Sequence, residues 1–358
     1  MKEAITGFGY LPALGKLTIC LFVLCQVLAG CATVQAVPVP AEENRNDFKQ
    51  WLVGVEQEAL KRGISKEVIT LAFHDLEPDT RVIGFDRNQP EFVQTFDQYL
   101  NARVSKARVE EGNRLYRQYA TELKQVGEYY GVDPRYIVAF WGLESSFGRY
   151  QGKYSVIRSL ATLAYDPRRS AFFRNELLNA LQILEEGHVS VDDFVGGWAG
   201  AMGQNQFIPS SFINYAQDFD GDGRKNIWTN NVDVWASIAN YLQKNGWRPD
   251  EEWGLKVKLP PGFRDQLLNL KPKKVSSSCR ALKYHTRKMP VSDWQVFRVR
   301  AADGGRLPVV RFSAALIIPE DDQEYTYMTF PNFRTILSYN CANKYAVSVG
   351  LMADLIKQ

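Results

Sequence analysis

The sequence predicts a mainly α-helical protein with a small strand-containing lobe. Three observations predict it. Apolar residues recur at three- and four-residue intervals from Asp47 to about Tyr130, as in "FKQWLVGVEQEALKRG", the period of a helix with one buried face. "GVDPRYIVAF" then supplies a helix start, with Asp133 as the cap and Pro134 at the first helical position, where its missing N–H would be unsatisfied anyway. After Trp253 the texture changes to "LKVKLPPGF", "WQVFRVRA" and "VVRFSAALIIPE", short β-rich runs broken by Pro, Gly and Asp.

Taken in order, residues 1–30 read as a lipoprotein signal peptide. Lys2 and Lys16 precede the apolar run "LTICLFVLCQVLAG", which is too short for a comfortable membrane span and ends at Cys31 as "LAGC". Cleavage before Cys31 leaves that cysteine N-terminal, carrying acyl chains that hold the protein to a bilayer. Ala32 behind it, by similarity to enteric lipoproteins, directs the chain to the periplasmic face of the outer membrane. Residues 31–46, rich in proline and polar side chains, form a tether. Residues 47–130 make an N-terminal helical region and 131–252 a core that continues through "AFFRNELLNALQILEEG" and "VDVWASIANYLQKNGW". The strand-containing lobe occupies 253–330, and the helical segment 331–358 packs back on the core.

At 45% hydrophobic over 358 residues the chain fills a sizeable core. Its 43 basic and 40 acidic residues nearly cancel, and no long basic run is interleaved with aromatics, which argues against a nucleic-acid binder. "KPKK" at Lys271–Lys274 reads as a solvated loop. His74, His188 and His285 lack ligand spacing, which argues against a catalytic zinc or a histidine-based triad. Once Cys20 and Cys25 leave with the signal and Cys31 is lipidated, Cys279 and Cys341 remain. An oxidising compartment permits them to pair, and both a disulfide and two free thiols stay open.

The chemistry concentrates in "IVAFWGLESSFGRY". In a helix Glu144 shares the apolar face of Ile137, Phe140 and Trp141, so its charged form loses solvation and its carboxyl moves toward the range of a general acid. The plainer alternative is an ion pair with Arg149 or a backbone cap. "GGWAGAMGQNQFIPSSF" lets backbone approach a ligand closely while Gln204, Asn205 and Gln206 offer paired donors and acceptors for sugar hydroxyls and N-acetyl groups; a tight packing turn would use the same composition. "YDPRRSAFF" sets two arginines beside aromatics, a grip for a carboxylate or lactyl group, or an exposed pair on a helix start.

These blocks, in order, resemble the membrane-bound lytic murein transglycosylase B family, family 103 of the glycoside hydrolases. The matching stretches are "GLESSFG", "LATLAYDPRR", "AGAMGQNQFIPSSF", "DFDGDGRKNIW" and "FPNFRTILSYNCANKYA". The resemblance spans nearly all of the chain after Cys31. It implies a lysozyme-like core that cleaves peptidoglycan between N-acetylmuramic acid and N-acetylglucosamine without water, leaving 1,6-anhydromuramoyl ends. Glu144 is then the single acid and, in turn, the base, and no cofactor takes part in catalysis. Positions matching the family's saccharide contacts are Tyr99, Arg168, Arg169, Met202, Gln206, Tyr339, Asn340 and Tyr345. One departure stands out: Gly197 occupies a position where the family commonly has a serine whose hydroxyl lies near the acid.

"DFDGDGRKNIWT" has EF-hand spacing: Asp218, Asp220 and Asp222 at positions 1, 3 and 5, the Arg224 carbonyl at 7 and Asn226 at 9. Position 12 is Thr229, so the usual bidentate carboxylate is missing unless Asp233 swings in. A weakly held structural calcium (Ca2+) is the expectation for residues 218–229, with an empty acidic loop as the alternative. Expected partners are peptidoglycan glycan strands, the membrane through the lipid anchor, and proteins of cell-wall synthesis, with the chain itself a monomer. A hydrolytic muramidase and a non-catalytic murein-binding lipoprotein are the alternatives.

Overall fold

The computed structural model describes residues 43–87, 94–275, 279–321 and 323–357; the expected signal peptide, Cys31 and most of the expected tether lie outside the described residues. The N-terminal region builds six helices, α1 (Glu43–Lys61), α2 (Lys66–Ala72), α3 (Thr80–Arg87), α4 (Phe96–Arg103), α5 (Lys106–Gln118) and α6 (Ala120–Tyr130). The first begins inside the stretch read as tether. Next comes α7 (Pro134–Ser145), started as its sequence dictates: Pro134 occupies the first turn, and the Asp133 carboxylate accepts the Arg135 amide at 2.8 Å. Nine of its twelve residues are buried, from Tyr136 through Leu143 and at Ser145. It is an interior helix, apolar nearly all round.

The chain continues through α8 (Val156–Tyr165), α9 (Ser170–Glu185), α10 (Pro209–Tyr215) and α11 (Asn231–Lys244), of which α11 packs directly on α7, as α5 and α6 do. A two-stranded antiparallel ribbon, β1 (Tyr154–Ser155) with β2 (Val195–Gly196), pairs Tyr154 with Gly196 and lies within the helical core. Strands of two residues are too short to show the alternation by which a strand is read from sequence. Trp141 meets Trp235 of α11 edge-on at 5.4 Å, which places the centre of the core beneath the C-terminal half of α7.

The lobe has its own apolar interior, with Val257, Trp294, Leu316 and Met328 among its buried residues. Its sheet runs β4 (Met289–Pro290), β6 (Ser313–Leu316), β7 (Tyr325–Thr329), β3 (Gly254–Lys258), β5 (Arg300–Ala301), every neighbour antiparallel. Helices α12 (Arg264–Asn269) and α13 (Val291–Val296) fill its connections, and the Trp294 indole donates to the Ala314 carbonyl at 3.0 Å. The chain ends in α14 (Pro331–Tyr339) and α15 (Asn343–Leu355). Cys279 and Cys341, left open by the sequence, form a disulfide with Cα atoms 5.4 Å apart.

His285 is buried where the lobe meets the last two helices. Burial pushes its pKa down to about 4; the Asn343 hydrogen bond opposes the shift and nearby Arg334 adds to it. In the unfolded chain a histidine titrates near 6.5, so between those values the unfolded state binds a proton that the folded state does not. The neutral ring's contribution is fully present above pH 6.5 and is lost as pH falls toward 4, an effect on the order of 3 kcal/mol. Thermal unfolding from pH 7.5 to 3.5 is expected to show a steeper fall in that window for wild type than for His285→Gln. Equal slopes would remove His285 as the cause.

Candidate functional site

Glu144 is half-buried near the end of α7, and the turn behind it is left-handed for three residues, with φ of 51° at Ser146, 62° at Phe147 and 83° at Gly148. Only glycine accepts that region freely. The strain is held by packing: the Phe147 ring meets Trp141 edge-on at 5.4 Å, and a Cβ at Gly142 would lie 2.6 Å from it. The buried Ser145 hydroxyl donates to the Trp141 carbonyl at 3.3 Å and accepts the Gly148 amide at 2.9 Å. A Cβ on Gly148 would fall 2.3 Å from the Gln204 side-chain oxygen.

That oxygen accepts the Trp141 indole N–H at 2.6 Å, while the Gln204 amide nitrogen donates to the Trp228 carbonyl and the Asn231 side chain, each at 3.1 Å. The glycine-rich segment is thereby fixed to α7 on one side and to the start of α11 on the other. Gln206 has φ of 51° and donates to the carbonyls of Gly203 at 2.8 Å and Gln151 at 3.2 Å. A Cβ built on Gly197 would sit 3.6 Å from its Oε1, in ordinary contact, and the Gly197 backbone is outside the left-handed region. Position 197 therefore has room for a side chain that reaches Gln206.

Two tyrosines bear on Glu144, and a third lies close to one of them. Tyr345, 5% exposed on α15, donates its hydroxyl to Glu144 Oε1. Burial and then the Glu144 charge push its pKa well up, so it stays a donor. Tyr339, at the end of α14, packs its ring 4.7 Å from Phe140, one turn before Glu144, and donates to the Asn205 carbonyl; burial and the Glu144 charge push its pKa up as well. Tyr99 lies on α4, whose start is fixed by a reciprocal cap between Thr95 and Gln98, and it is near enough for its charge to bear on Tyr345. Asn340 is exposed beside Tyr339. Arg149, the alternative ion partner for Glu144, instead pairs with Glu111.

The other expected residues lie differently. Arg168 contacts Asp86 at 2.5 Å and Arg169 contacts it at 3.6 Å, and the Arg169 guanidinium stacks 4.9 Å over Phe172 and 4.8 Å over Phe173. The buried Asp86 of α3 thus holds both arginines, their heads still nearly half exposed. Met202, expected to touch saccharide, has no exposed surface: its backbone bridges to Gly196 and Phe207, and its side chain belongs to the core. Asn205 is fully buried with neither amide atom hydrogen-bonded among the described residues, so it offers nothing to a sugar in this arrangement.

In the acidic loop, carboxylate oxygens of Asp218, Asp220 and Asp222 lie within 4.8 Å of one another. Asn226, expected as a ligand, uses its Oδ1 on the amides of Trp228 and Thr229, and its amide nitrogen on Thr229 Oγ1. Asp233 does not swing in. It is buried and accepts the amides of Phe219 and Asn226, each at 2.8 Å, pinning both sides of the loop. Three carboxylates suit a hard cation.

The family described as Transglycosylase SLT domain matches residues 47–354. The chain belongs to this family. It is 32% identical over 264 residues to membrane-bound lytic murein transglycosylase B of Escherichia coli (strain K12), across 72% of this chain and 66% of that protein. Among solved structures it is similar to SltB3 of Pseudomonas aeruginosa in complex with NAG-anhNAM-pentapeptide, at 40% identity and a TM-score of 0.78 over 86% of this chain and 78% of that one. The lytic transglycosylase Slt35 of Escherichia coli in complex with calcium is 26% identical, with a TM-score of 0.70 over 86% of this chain and 92% of that one. The lysozyme-like core expected from the sequence is the fold of these SLT transglycosylases.

Two glycines of this SLT domain should respond oppositely to substitution. Gly148→Ala combines a left-handed backbone with a clash at Gln204 and is expected to lower stability by about 1–3 kcal/mol. Gly197→Ser meets neither obstacle, should leave the melting temperature unchanged, and is expected to raise turnover about fivefold through one added hydrogen bond. A large loss of stability in Gly197→Ser, or none in Gly148→Ala, would contradict this geometry.

Proposed function

We propose that the protein is a lytic transglycosylase that cleaves the β-1,4 bond between N-acetylmuramic acid and N-acetylglucosamine in peptidoglycan. The observation that carries this reading is the surroundings of Glu144. Three of the segments near it, 145–151, 196–207 and 339–345, contain no aspartate or glutamate, whereas ordinary glycosidases set a second carboxylate across the bond. Similarity to SltB3, solved in complex with NAG-anhNAM-pentapeptide, supports the same outcome.

In this mechanism Glu144 donates its proton to the glycosidic oxygen as the bond from the anomeric carbon breaks. The muramoyl N-acetyl oxygen assists at that carbon. The carboxylate then takes the proton of the muramoyl 6-hydroxyl as that oxygen closes on the anomeric carbon, so no water is consumed. Tyr345 holds the carboxyl through Oε1, and Tyr99, Tyr339, Asn340 and Gln206 line the saccharide path. Arg168 and Arg169, oriented by Asp86, meet anionic groups of the substrate. Cys31 anchors the chain by its acyl groups at the periplasmic face of the outer membrane; none of the described helices is long and apolar enough to cross a membrane.

Glu144→Gln is expected to keep murein binding and lose about 10²- to 10⁴-fold in turnover. Mass analysis of wild-type products from sacculi should give ends one water lighter than reducing sugars. Reducing ends would establish a muramidase, and binding without products a murein-binding protein. Asp218, Asp220 and Asp222 would hold a calcium ion that supplies charge neutralisation to the loop. Calcium is expected to raise the melting temperature, an effect absent in Asp220→Asn; equal response in both would exclude this loop.

A further inference from the structure

The residues that bring Tyr345 to Glu144 are held from outside by the strand lobe. Tyr345 sits in the first turn of α15, which begins without a side-chain cap behind an extended residue, Ala342. Such a turn leaves its first amides unpaired and frays readily. Two contacts from the lobe hold the residues around this start. Cys341 is bonded to Cys279, and the Asn343 side chain lies between His285 Nε2 at 2.8 Å and the Ala281 carbonyl at 3.2 Å.

The hydrogen-bond directions follow from the partners. Asn343 spends its amide nitrogen as donor on the Ala281 carbonyl, so its Oδ1 accepts and His285 Nε2 carries the hydrogen. Nδ1 of His285 faces the Thr329 hydroxyl of β7 at 3.5 Å, and the ring rests 5.6 Å from Phe333 of α14. The His285 backbone also bridges to Ile317, so the ring is fixed by the lobe and not by the helix it grips. The chain from 279 to 285 clasps 341 to 343, and two residues later the Tyr345 hydroxyl reaches Glu144 Oε1.

We infer that His285, Asn343 and the Cys279–Cys341 disulfide are positioning residues for catalysis, setting the Tyr345 hydroxyl on Glu144. The inference rests on Glu144 being the acid. The strand lobe, remote in sequence from Glu144, then belongs to the catalytic apparatus, and reduction of one disulfide lowers turnover without touching a substrate-binding side chain.

The test uses the full chain acting on murein. His285→Ala, and separately Cys279→Ser with Cys341→Ser, are made with and without Tyr345→Phe. Each break of the clamp is expected to lower kcat about tenfold, the loss of one well-placed hydrogen bond to a charged group, while KM moves less than about twofold. His285→Gln, which keeps a donor near the Nε2 position, should recover most of that loss. In the Tyr345→Phe background the same breaks should change kcat by less than about twofold, because the hydroxyl they position is gone. If a variant does not fold, wild type with the disulfide opened by a thiol reductant, with and without Tyr345→Phe, gives the same comparison. Wild-type kcat in folded or reduced enzyme, a loss confined to KM, or equal losses in both backgrounds would overturn the inference. Activity surviving in Glu144→Gln would instead remove the functional reading beneath it.

Discussion

The hydrogen bond from the Trp141 indole to the Gln204 side chain ties the helix that carries Glu144 to the glycine-rich segment facing it, and both partners are buried. Its loss would leave a buried donor unsatisfied, at a cost of about 1–3 kcal/mol. Geometry depends on it more than stability does. Gln204 passes the connection on to Asn231 at the head of α11, and it approaches so closely that residue 148 must lack a side chain. The left-handed turn behind Glu144, the Phe147 ring against Trp141 and the path of residues 196–207 all follow from one amide held at one place. Local backbone strain persists there because surrounding contacts over-determine it.

Much of this was legible in the sequence for a physical reason: a helix start and an apolar face are local properties. Asp133, Pro134 and the spacing of Ile137, Phe140, Trp141 and Glu144 specify α7 and the half-buried carboxylate without outside help. The strand texture after Trp253 likewise marks the lobe. What stayed hidden depends on distant residues. Tyr345 lies 201 residues from the carboxylate it meets, and only the family resemblance pointed to it. No local signal pairs Asp86 with Arg168, 82 positions away, so two arginines that read as a free grip emerge already oriented. The burial of Met202 was not legible, because a run of small residues shows that backbones approach closely but not which side chain turns inward. In the acidic loop the spacing of aspartates was sound, while Asn226 and Asp233 proved to serve backbone amides, an alternative always open to short polar side chains.

The join between Glu144 and Tyr345 also orders events in time. A chain emerging from its N-terminus presents the helix with the carboxylate 201 residues before it presents Tyr345. Contacts between such distant positions form late, since loop closure must precede them. A copy synthesised only as far as α14 therefore holds the carboxylate without the hydroxyl that meets it. Assembly of the pair waits for the last two described helices to dock.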